Sequence, residues 1–256
     1  MNIDIQHLFF KYHKKKEYNL TDINICLNSG NIYCLLGLNG SGKTTLMKLL
    51  TGIEKYMEGD ILYDKKSLSQ ISIKERSKVF SYVPQYSRIS DDVLVEDYLT
   101  FGTANTLAFY QSPKKEQKEK VLEVAERIKI TQLLNKKIGE VSGGERQTIL
   151  IACALIQDAE VIYLDEPTSA LDIKNQHLIL SILKEISSRS KTVVLTTHNP
   201  NHALFLDSKV IVMHKGEVIM HGDNREIVNV DSLKEIYGDA VSLSKDLTYD
   251  EISFKN

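Results

Sequence analysis

The order of apolar and polar positions along the chain predicts an α/β fold. Four short runs are apolar almost without interruption, which is typical of strands buried on both faces of a parallel sheet: Ile32–Leu36, Val161–Leu164, Val193–Thr197 and Val210–Met213. Three earlier segments alternate more between apolar and polar residues, namely Ile3–Phe10, Asn24–Leu27 and Gly59–Tyr63. We expect these three segments to form a smaller antiparallel layer beside the main sheet.

The stretch from about Tyr86 to Gln157 has a helical pattern instead. Ser112 and Pro113 are typical of a helix start, because proline favours the first helical position. The residues that follow repeat at helical spacing, with Val121, Leu122, Ala125 and Ile128 on the buried face and the pairs Glu116/Lys120 and Glu123/Arg127 on the solvated face. We therefore predict one domain over residues 1–240 with a helical subdomain inserted at about 86–157, followed by a C-terminal tail at 241–256.

Composition narrows the class of protein. The chain has 256 residues, 42% of them hydrophobic, and a net charge of −2, which favours a folded domain and disfavours a nucleic-acid-binding surface. No apolar run approaches the ~20 residues of a transmembrane helix, and the N-terminus lacks the residue order of a signal peptide. Cys26, Cys34 and Cys153 show neither metal-ligand spacing nor an even disulfide set, so we expect free thiols in a reducing compartment.

Residues 37–45, GLNGSGKTT, match the phosphate-binding pattern G-x-x-x-x-G-K-[ST] between a predicted strand and a predicted helix. Glycines let backbone N–H groups turn toward phosphate oxygens, and the helix N-terminus adds the positive end of its dipole. Lys43 supplies a full charge to the β- and γ-phosphates, and the Thr44 hydroxyl suits Mg²⁺. A chance lysine in a glycine-rich turn would not explain this context. The predicted nucleotide ligands are Gly37, Asn39, Gly40, Ser41, Gly42, Lys43, Thr44 and Thr45.

Two adjacent carboxylates, Asp165 and Glu166, end the apolar run Val161–Leu164. Ligands of α/β sheets bind at the C-terminal ends of the strands. We predict that Asp165 holds Mg²⁺, directly or through water, and that Glu166 polarises the attacking water. An ordinary turn is the alternative, since Pro167 follows, but the phosphate-binding loop upstream favours the catalytic interpretation.

A second helix start lies at Ser142, Gly143, Gly144 and Glu145, before the apolar helix Ile149–Ile156. The pattern Ser-x-x-Glu is a capping box, which is a structural role. Two successive glycines weaken the first helical turn, whereas their unhindered N–H groups suit an anion. We therefore expect this segment to act both as a cap and as a second contact for the nucleotide.

Combined in this order, the motifs resemble those of the ATP-binding subunit of ABC transporters, over roughly Ile3 to Tyr237. Residues 37–45 resemble the Walker A motif of that family, and Val161–Glu166 resembles Walker B. Residues 141–147, VSGGERQ, resemble the signature motif, with Val for the usual Leu and Glu for the usual Gln. Ser169–Asp172 resembles the D-loop, which implies a nucleotide contact for Asp172.

The resemblance also implies roles for three residues that carry no such signal alone. Gln85 stands at the Q-loop position, as a catalytic and metal contact, and His198 stands at the switch-histidine position. Tyr12 stands where an aromatic ring stacks on adenine. The plain alternatives are a polar loop residue, a satisfied histidine and a packing aromatic. His202 lacks a companion ligand set, so we expect a polar surface residue there and not a metal ligand.

The resemblance implies ATP and Mg²⁺ as cofactors and ATP hydrolysis coupled to transmembrane transport. It further implies a head-to-tail dimer, in which Ser142, Gly143 and Gly144 of one copy close over the Walker A loop of the other. Separate permease subunits, linked through Gln85 and the helical subdomain, would supply the membrane-spanning part. The expected location is the cytoplasmic face of the cell membrane, with a substrate-binding protein as an indirect partner and no nucleic-acid partner.

Within that family, the chain resembles in particular the ATP-binding subunits of importers for iron chelates, haem, cobalamin and molybdate. The resemblance lies in Thr196–Leu204 and in three short segments, SGGERQ at 142–147, LDIKNQ at 171–176 and DSLKEIYG at 231–238. Import of an iron–siderophore complex is the function it favours. Two alternatives stay open, an exporter ATPase and a soluble ABC-type ATPase acting on nucleic acid. The single Walker A motif and the absence of sustained heptads disfavour the second.

Overall fold

The computed structural model describes residues 1–12, 17–106, 114–229, 232 and 234. The strands in this part of the chain are β1 Ile3–Phe10, β2 Leu20–Leu27, β3 Ile32–Leu36, β4 Glu58–Tyr63, β5 Lys66–Ser67, β6 Phe80–Val83, β7 Val161–Leu164, β8 Thr192–Thr196, β9 Lys209–His214 and β10 Glu217–Asp223. The α-helices are α1 Lys43–Leu50, α2 Ile73–Val79, α3 Val95–Phe101, α4 Lys115–Arg127, α5 Gly143–Gln157, α6 Ile173–Ser188, α7 Pro200–Phe205 and α8 Asn224–Ile227. Short 3₁₀ turns lie at Leu68–Gln70, Ala104–Thr106, Thr131–Leu133 and Ile138–Glu140.

Two sheets form the framework. The larger sheet has the order β10-β9-β3-β8-β7-β6, with β10 antiparallel to β9 and the other pairs parallel. The smaller sheet has the order β2-β1-β4-β5 and is antiparallel. The predicted fold class, a parallel α/β core with a small antiparallel layer, is confirmed.

The core lies on both faces of the larger sheet, as the uninterrupted apolar runs predict. Every residue of β3, β7 and β8 is buried. Alternate residues of β3 pack on opposite faces, with Cys34 among helices α3 to α6 and Leu35 against α1 and the smaller sheet. Residues of α1 pack in one cluster with residues of both sheets, which fixes the start of this helix near the end of β3.

Helices α3, α4 and α5 lie within the stretch predicted to be a helical subdomain, and the division at 86–157 itself stays a prediction. The buried stripe of α4 contains Val121, Val124 and Ala125, and Ile128, which caps the helix C-terminus, continues it at helical spacing. The prediction for Leu122 was wrong, since this residue is 45% exposed. It lies one residue, and so about 100° of helix rotation, away from Val121.

The predicted charge pairs along α4 are replaced by tertiary contacts. Lys120 Nζ lies 3.8 Å from Asp158, and Arg127 Nη2 lies 2.9 Å from Glu185 on α6. Partners on neighbouring elements therefore take the two cations instead of the carboxylates four residues away. Ser112 and Pro113, the predicted helix start, lie outside the described residues.

The predicted element boundaries differ from the observed ones in a few places. Strand β2 begins at Leu20 instead of Asn24, because Phe10 of β1 pairs with Leu20 across two register shifts. Strand β8 covers Thr192–Thr196, one residue earlier than predicted. The tail at 241–256 and most of 231–238 lie outside the described residues. No helix in the described ranges combines the length and the apolar character that a bilayer crossing requires.

Candidate nucleotide-binding site

The phosphate-binding loop connects the end of β3 to α1, and two of its glycines are required by the geometry. Gly37 has a φ of 147°, and a Cβ there would lie 2.2 Å from the carbonyl oxygen of Met213. Gly42 has a φ of 108°, and its Cβ would lie 2.6 Å from Leu20 Cδ2. Only glycine combines these backbone angles with these close contacts.

Lys43 lies across its own loop. Its Nζ donates to the carbonyl oxygens of Gly37 at 2.7 Å and Leu38 at 3.1 Å. Burial lowers the pKa of Lys43, and the nearby charges of Glu166 and Asp165 oppose that shift. The amine is thus aimed into the loop by backbone acceptors, which is where a phosphate would need its charge.

Two cavities meet at this loop. One, of about 420 Å³, is lined by Tyr12, Asn19, residues 39–45, Gln85 and Glu166. The other, of about 600 Å³, is lined by Gly37, Leu38, Asn39, Gln85, Glu166 and His198. The two cavities share Asn39, Gln85 and Glu166, so residues at the predicted Walker A, Walker B, Q-loop and switch positions lie around adjoining spaces.

Glu166 is at the centre of this cluster. Its backbone has a φ of 48°, an uncommon conformation for a residue other than glycine. Its Oε2 accepts a hydrogen bond from Gln85 Nε2 at 2.9 Å and lies 3.8 Å from His198 Nδ1. The carboxylate predicted to act on water is therefore contacted by two of the three residues to which the family pattern alone gave a role, Gln85 and His198.

Asp165 is almost completely buried, with 1% of its surface exposed. Its Oδ1 accepts a hydrogen bond from Thr196 Oγ1 at 2.6 Å. Its Oδ2, like Ser41 Oγ in the loop, is buried and has no hydrogen-bond partner among the described residues. Buried oxygens of this kind are rarely left unpaired, so both are suited to bind a ligand. Sequence reasoning missed Thr196, whose only signal is a polar residue at the end of an apolar strand.

Tyr12 lines the first cavity and also packs within the protein. Its ring lies edge-on to Phe10, with 4.8 Å between centroids, and its backbone N–H donates to Asn19 Oδ1 at 3.1 Å. The packing alternative and the cavity position are therefore both present. Asn19 is a further cavity residue that sequence reasoning missed.

The glycine pair at the start of α5 has two different environments. Ser142 and Glu145 form the predicted capping box, with Glu145 N donating to Ser142 Oγ at 3.3 Å and Ser142 N donating to Glu145 Oε2 at 2.8 Å. The hydrogen bond from the Ser142 backbone N–H, and then the Ser142 side chain, lower the pKa of the Glu145 carboxyl. A Cβ at Gly144 would lie 3.0 Å from Ala170 O, whereas one at Gly143 would meet nothing within 4 Å. Packing therefore explains why residue 144 is glycine, but it does not explain the glycine at position 143.

Three residues of the signature motif, Ser142, Gly143 and Gly144, are predicted to contact the nucleotide, but none of them lines the two cavities described above. Ser142 and Gly143 are exposed, and Gly144 is half-buried. Asp172 is also exposed, and it caps α6 by accepting a hydrogen bond from Asn175 N at 2.8 Å. Within one chain, these predicted nucleotide contacts therefore lie apart from the phosphate-binding loop that contains Lys43.

His202 is buried, with only 6% of its surface exposed, so the prediction of a polar surface residue was wrong. The short helix α7 turns this side chain inward, where its Nδ1 lies 2.8 Å from Thr197 Oγ1. Burial and then the charge of His198 lower the pKa of His202 to about 4. The imidazole is therefore neutral near pH 7.

A glycine-rich loop between a buried parallel strand and a helix, close to two carboxylates that follow β7 one strand beyond the adjacent β8, defines a P-loop nucleotide-binding domain. The family model described as ABC transporter matches residues 20–169. The chain belongs to the ABC transporter family, and it is an ATP-binding subunit with an ABC-type ATPase domain.

Similar proteins include the molybdate import ATP-binding protein MolC of Haemophilus influenzae, which is 31% identical over 92% of this chain and 87% of the relative. A protein of Helicobacter pylori named as a probable iron chelatin transport ATP-binding protein is 33% identical over 88% of this chain and 85% of its own. Among solved structures, the dimeric ATP-binding cassette MJ0796 bound to ADP and Pi has a TM-score of 0.80 and 25% identity. That comparison covers 87% of this chain and 99% of the cassette.

Proposed function

We propose that this chain is the ATP-hydrolysing subunit of an ABC importer, and that it powers uptake of an iron–siderophore complex or a related metal chelate. The observation that carries the proposal is the contact of Gln85 and His198 with the single carboxylate of Glu166, beside the loop that holds Lys43. A site of this composition binds the phosphates, orients a water and stabilises charge on the transferred phosphoryl group.

Each residue has a separate task in this proposal. Lys43 and the N–H groups of residues 37–45 bind the β- and γ-phosphates, and Tyr12 stacks on the adenine ring. Glu166 accepts a proton from the attacking water or orients it. His198 contacts the γ-phosphate from the adjoining cavity of about 600 Å³, where its exposed position leaves it free to reach the ligand.

The residues present also fit Mg²⁺, which prefers oxygen ligands. Thr44, Gln85 and Asp165 would hold the ion, and Asp165 Oδ2, which is buried with no hydrogen-bond partner among the described residues, is the oxygen best suited to it. When bound, Mg²⁺ would neutralise part of the charge of the phosphates. The unpaired Ser41 Oγ is a further oxygen suited to the polyphosphate.

A second copy of the chain would complete the site in a head-to-tail dimer. Gly143 is open to solvent without an internal reason to be glycine, which supports an external contact for its N–H group. Leu38 and Ile173 are 46% and 64% exposed, so apolar surface lies next to both halves of the site. The MJ0796 cassette, with the same fold, is dimeric with ADP and Pi bound.

Permease subunits would dock beside the Q-loop. A cavity of about 470 Å³ lies there, lined in part by Pro84, Tyr98 and Cys153. Tyr86 and Phe101 are 86% and 66% exposed, and large exposed apolar side chains around a groove favour a protein partner. This contact would place the chain at the cytoplasmic face of the membrane, with a substrate-binding protein acting through the permease.

The cargo is inferred from similarity, because the subunit does not itself contact the transported molecule. Relatives named for iron chelatin transport and for molybdate import are similar to this chain to nearly the same degree. The molybdate relative is named for import, which supports import over export, and the other relative is named for transport of an iron chelate. The iron chelate is the proposed cargo, and molybdate is the alternative that an experiment must separate from it.

Purification of the tagged chain from membranes of its own cells tests the proposal. We expect a many-span permease to copurify, and we expect the binding protein of that system to bind a ferric siderophore. In proteoliposomes containing the complex, ferric-siderophore uptake should require ATP and should be lost with Glu166→Gln. Uptake of molybdate instead would overturn the cargo, ATP-driven export would overturn the importer assignment, and purification without any membrane partner would overturn the transport role.

A further inference from the structure

A threonine hydroxyl joins the two adjacent carboxylate residues at the end of β7. Thr196 Oγ1 donates a hydrogen bond to Asp165 Oδ1 at 2.6 Å and accepts one from the backbone N–H of Glu166 at 2.8 Å. The threonine has no exposed surface. Water therefore cannot substitute for either hydrogen bond without a change in packing.

The register of the parallel strands produces this contact. Leu164 of β7 pairs with Leu195 of β8, so Thr196 lies one residue further along, beside Asp165. Valine would fit the same buried, β-branched position in the sheet. The hydroxyl is consequently the feature of Thr196 that packing does not require.

For Asp165, the contact makes its two carboxylate oxygens unequal. Oδ1 is held by the threonine, while Oδ2 is buried and unpaired in the described part of the chain. A carboxylate fixed at one oxygen cannot rotate freely, so it presents one defined oxygen to a cation. Without the hydroxyl, both oxygens would compete for the same ligand.

For Glu166, the contact holds an unfavourable backbone conformation. A φ of 48° costs free energy for a residue with a Cβ and persists only where neighbouring interactions fix it. The hydrogen bond from Glu166 N to Thr196 Oγ1 is such an interaction, and Ser169 N adds one at 3.3 Å to Glu166 O. This conformation directs the Glu166 side chain toward Gln85.

We propose that Thr196 is a positioning residue for ATP hydrolysis. Its hydroxyl selects the Asp165 oxygen that faces the metal and fixes the backbone from which Glu166 reaches the attacking water. This inference rests on the proposed roles of Asp165 and Glu166. Outer-shell hydrogen bonds of this kind typically change metal affinity or activity by about 10–100-fold when removed.

The test replaces the hydroxyl and keeps the shape, with Thr196→Val. Thr196→Ser restores the hydroxyl, and Thr192→Val is the matched control, because Thr192 is an equally buried threonine at the opposite end of β8. Binding of Mn²⁺, as a spectroscopic substitute for Mg²⁺, is measured by electron paramagnetic resonance with a non-hydrolysable ATP analogue. Analogue affinity in EDTA, kcat, KM for ATP and the melting temperature complete the set.

We expect Thr196→Val to weaken Mn²⁺ binding and lower kcat by about 10–100-fold each, with KM and the metal-free analogue affinity within about threefold of the parent. Thr196→Ser should recover most of both losses, and Thr192→Val should leave both unchanged. Equal Mn²⁺ binding and kcat in Thr196→Val and Thr192→Val would overturn the inference, as would loss that Thr196→Ser fails to recover.

Two further variants separate this inference from the proposed function. Normal Mn²⁺ binding by Asp165→Asn together with normal hydrolysis by Glu166→Gln would refute the proposed site itself, whatever Thr196 does. If Thr196→Val does not fold, Thr196→Cys replaces it, because a thiol is a weak hydrogen-bond donor of similar size. The same criteria on Mn²⁺ binding and kcat then apply to Thr196→Cys.

Discussion

Replacing Glu166 with glutamine separates nucleotide binding from hydrolysis. The Glu166 side chain is 15% exposed, and its Oε2 accepts a hydrogen bond from Gln85 Nε2 at 2.9 Å. Glutamine has nearly the same shape, and its amide oxygen can accept the same hydrogen bond. The bond changes from a charge-assisted to a neutral one, so the free energy of unfolding should fall by only about 1 kcal/mol.

The chemical consequence is much larger than the structural one. An amide cannot accept the proton of the attacking water, and general-base catalysis is typically worth roughly 10²–10⁴-fold in rate. Lys43, the phosphate-binding N–H groups and the Asp165 carboxylate are unchanged by the substitution. We therefore expect ATP affinity within about threefold of the parent and kcat reduced by roughly 10²–10⁴-fold.

Two assays on the same preparation check this expectation. ATP binding is measured by titration calorimetry, and hydrolysis is measured as steady-state release of phosphate. Because ATP is bound but not consumed, size-exclusion chromatography with ATP should also show more dimer in the variant than in the parent. Steady-state hydrolysis within twofold of the parent would refute the role of Glu166, and loss of ATP binding would refute the reasoning that the substitution is structurally neutral.

Three further predictions concern the loop, the glycine pair and the buried histidine. Lys43→Ala should weaken ATP binding at least tenfold in a fluorescence titration with an ATP analogue, because it removes the one full charge that the loop directs at the phosphates. Gly144→Ala should lower the free energy of unfolding by about 1 kcal/mol in urea, because its Cβ would press on Ala170 O. Gly143→Ala should leave that free energy within about 0.5 kcal/mol and yet weaken ATP-driven dimerisation, and equal behaviour of the two glycine variants would contradict this distinction. Since the pKa of His202 is lowered from 6.5 to about 4, the unfolded chain binds more protons between these values, so stability is full above about pH 6.5 and falls toward pH 4. His202→Gln should flatten that part of the curve in denaturant titrations at several pH values, and an unchanged slope would refute the assignment.

Sequence alone determined the elements whose information is local. The phosphate-binding loop occupies nine successive residues, 37–45, and its strand and helix adjoin it directly. Strands β3 and β7 have the predicted bounds, because continuous burial on both faces leaves an uninterrupted apolar run in the sequence. The capping box at Ser142 and Glu145 was likewise predictable, since both partners lie within one helical turn.

Only the tertiary structure decided which distant side chains share an environment. The hydrogen bond between Gln85 and Glu166 joins residues 81 positions apart, and the one between Thr196 and Asp165 joins residues 31 apart. The burial of His202 and the exposure of Leu122 depend on how α7 and α4 pack, which residue type alone does not specify. Local patterns encode backbone conformation because neighbours along the chain interact in every fold. Contacts between segments arise only when a particular register of strands and helices brings them together.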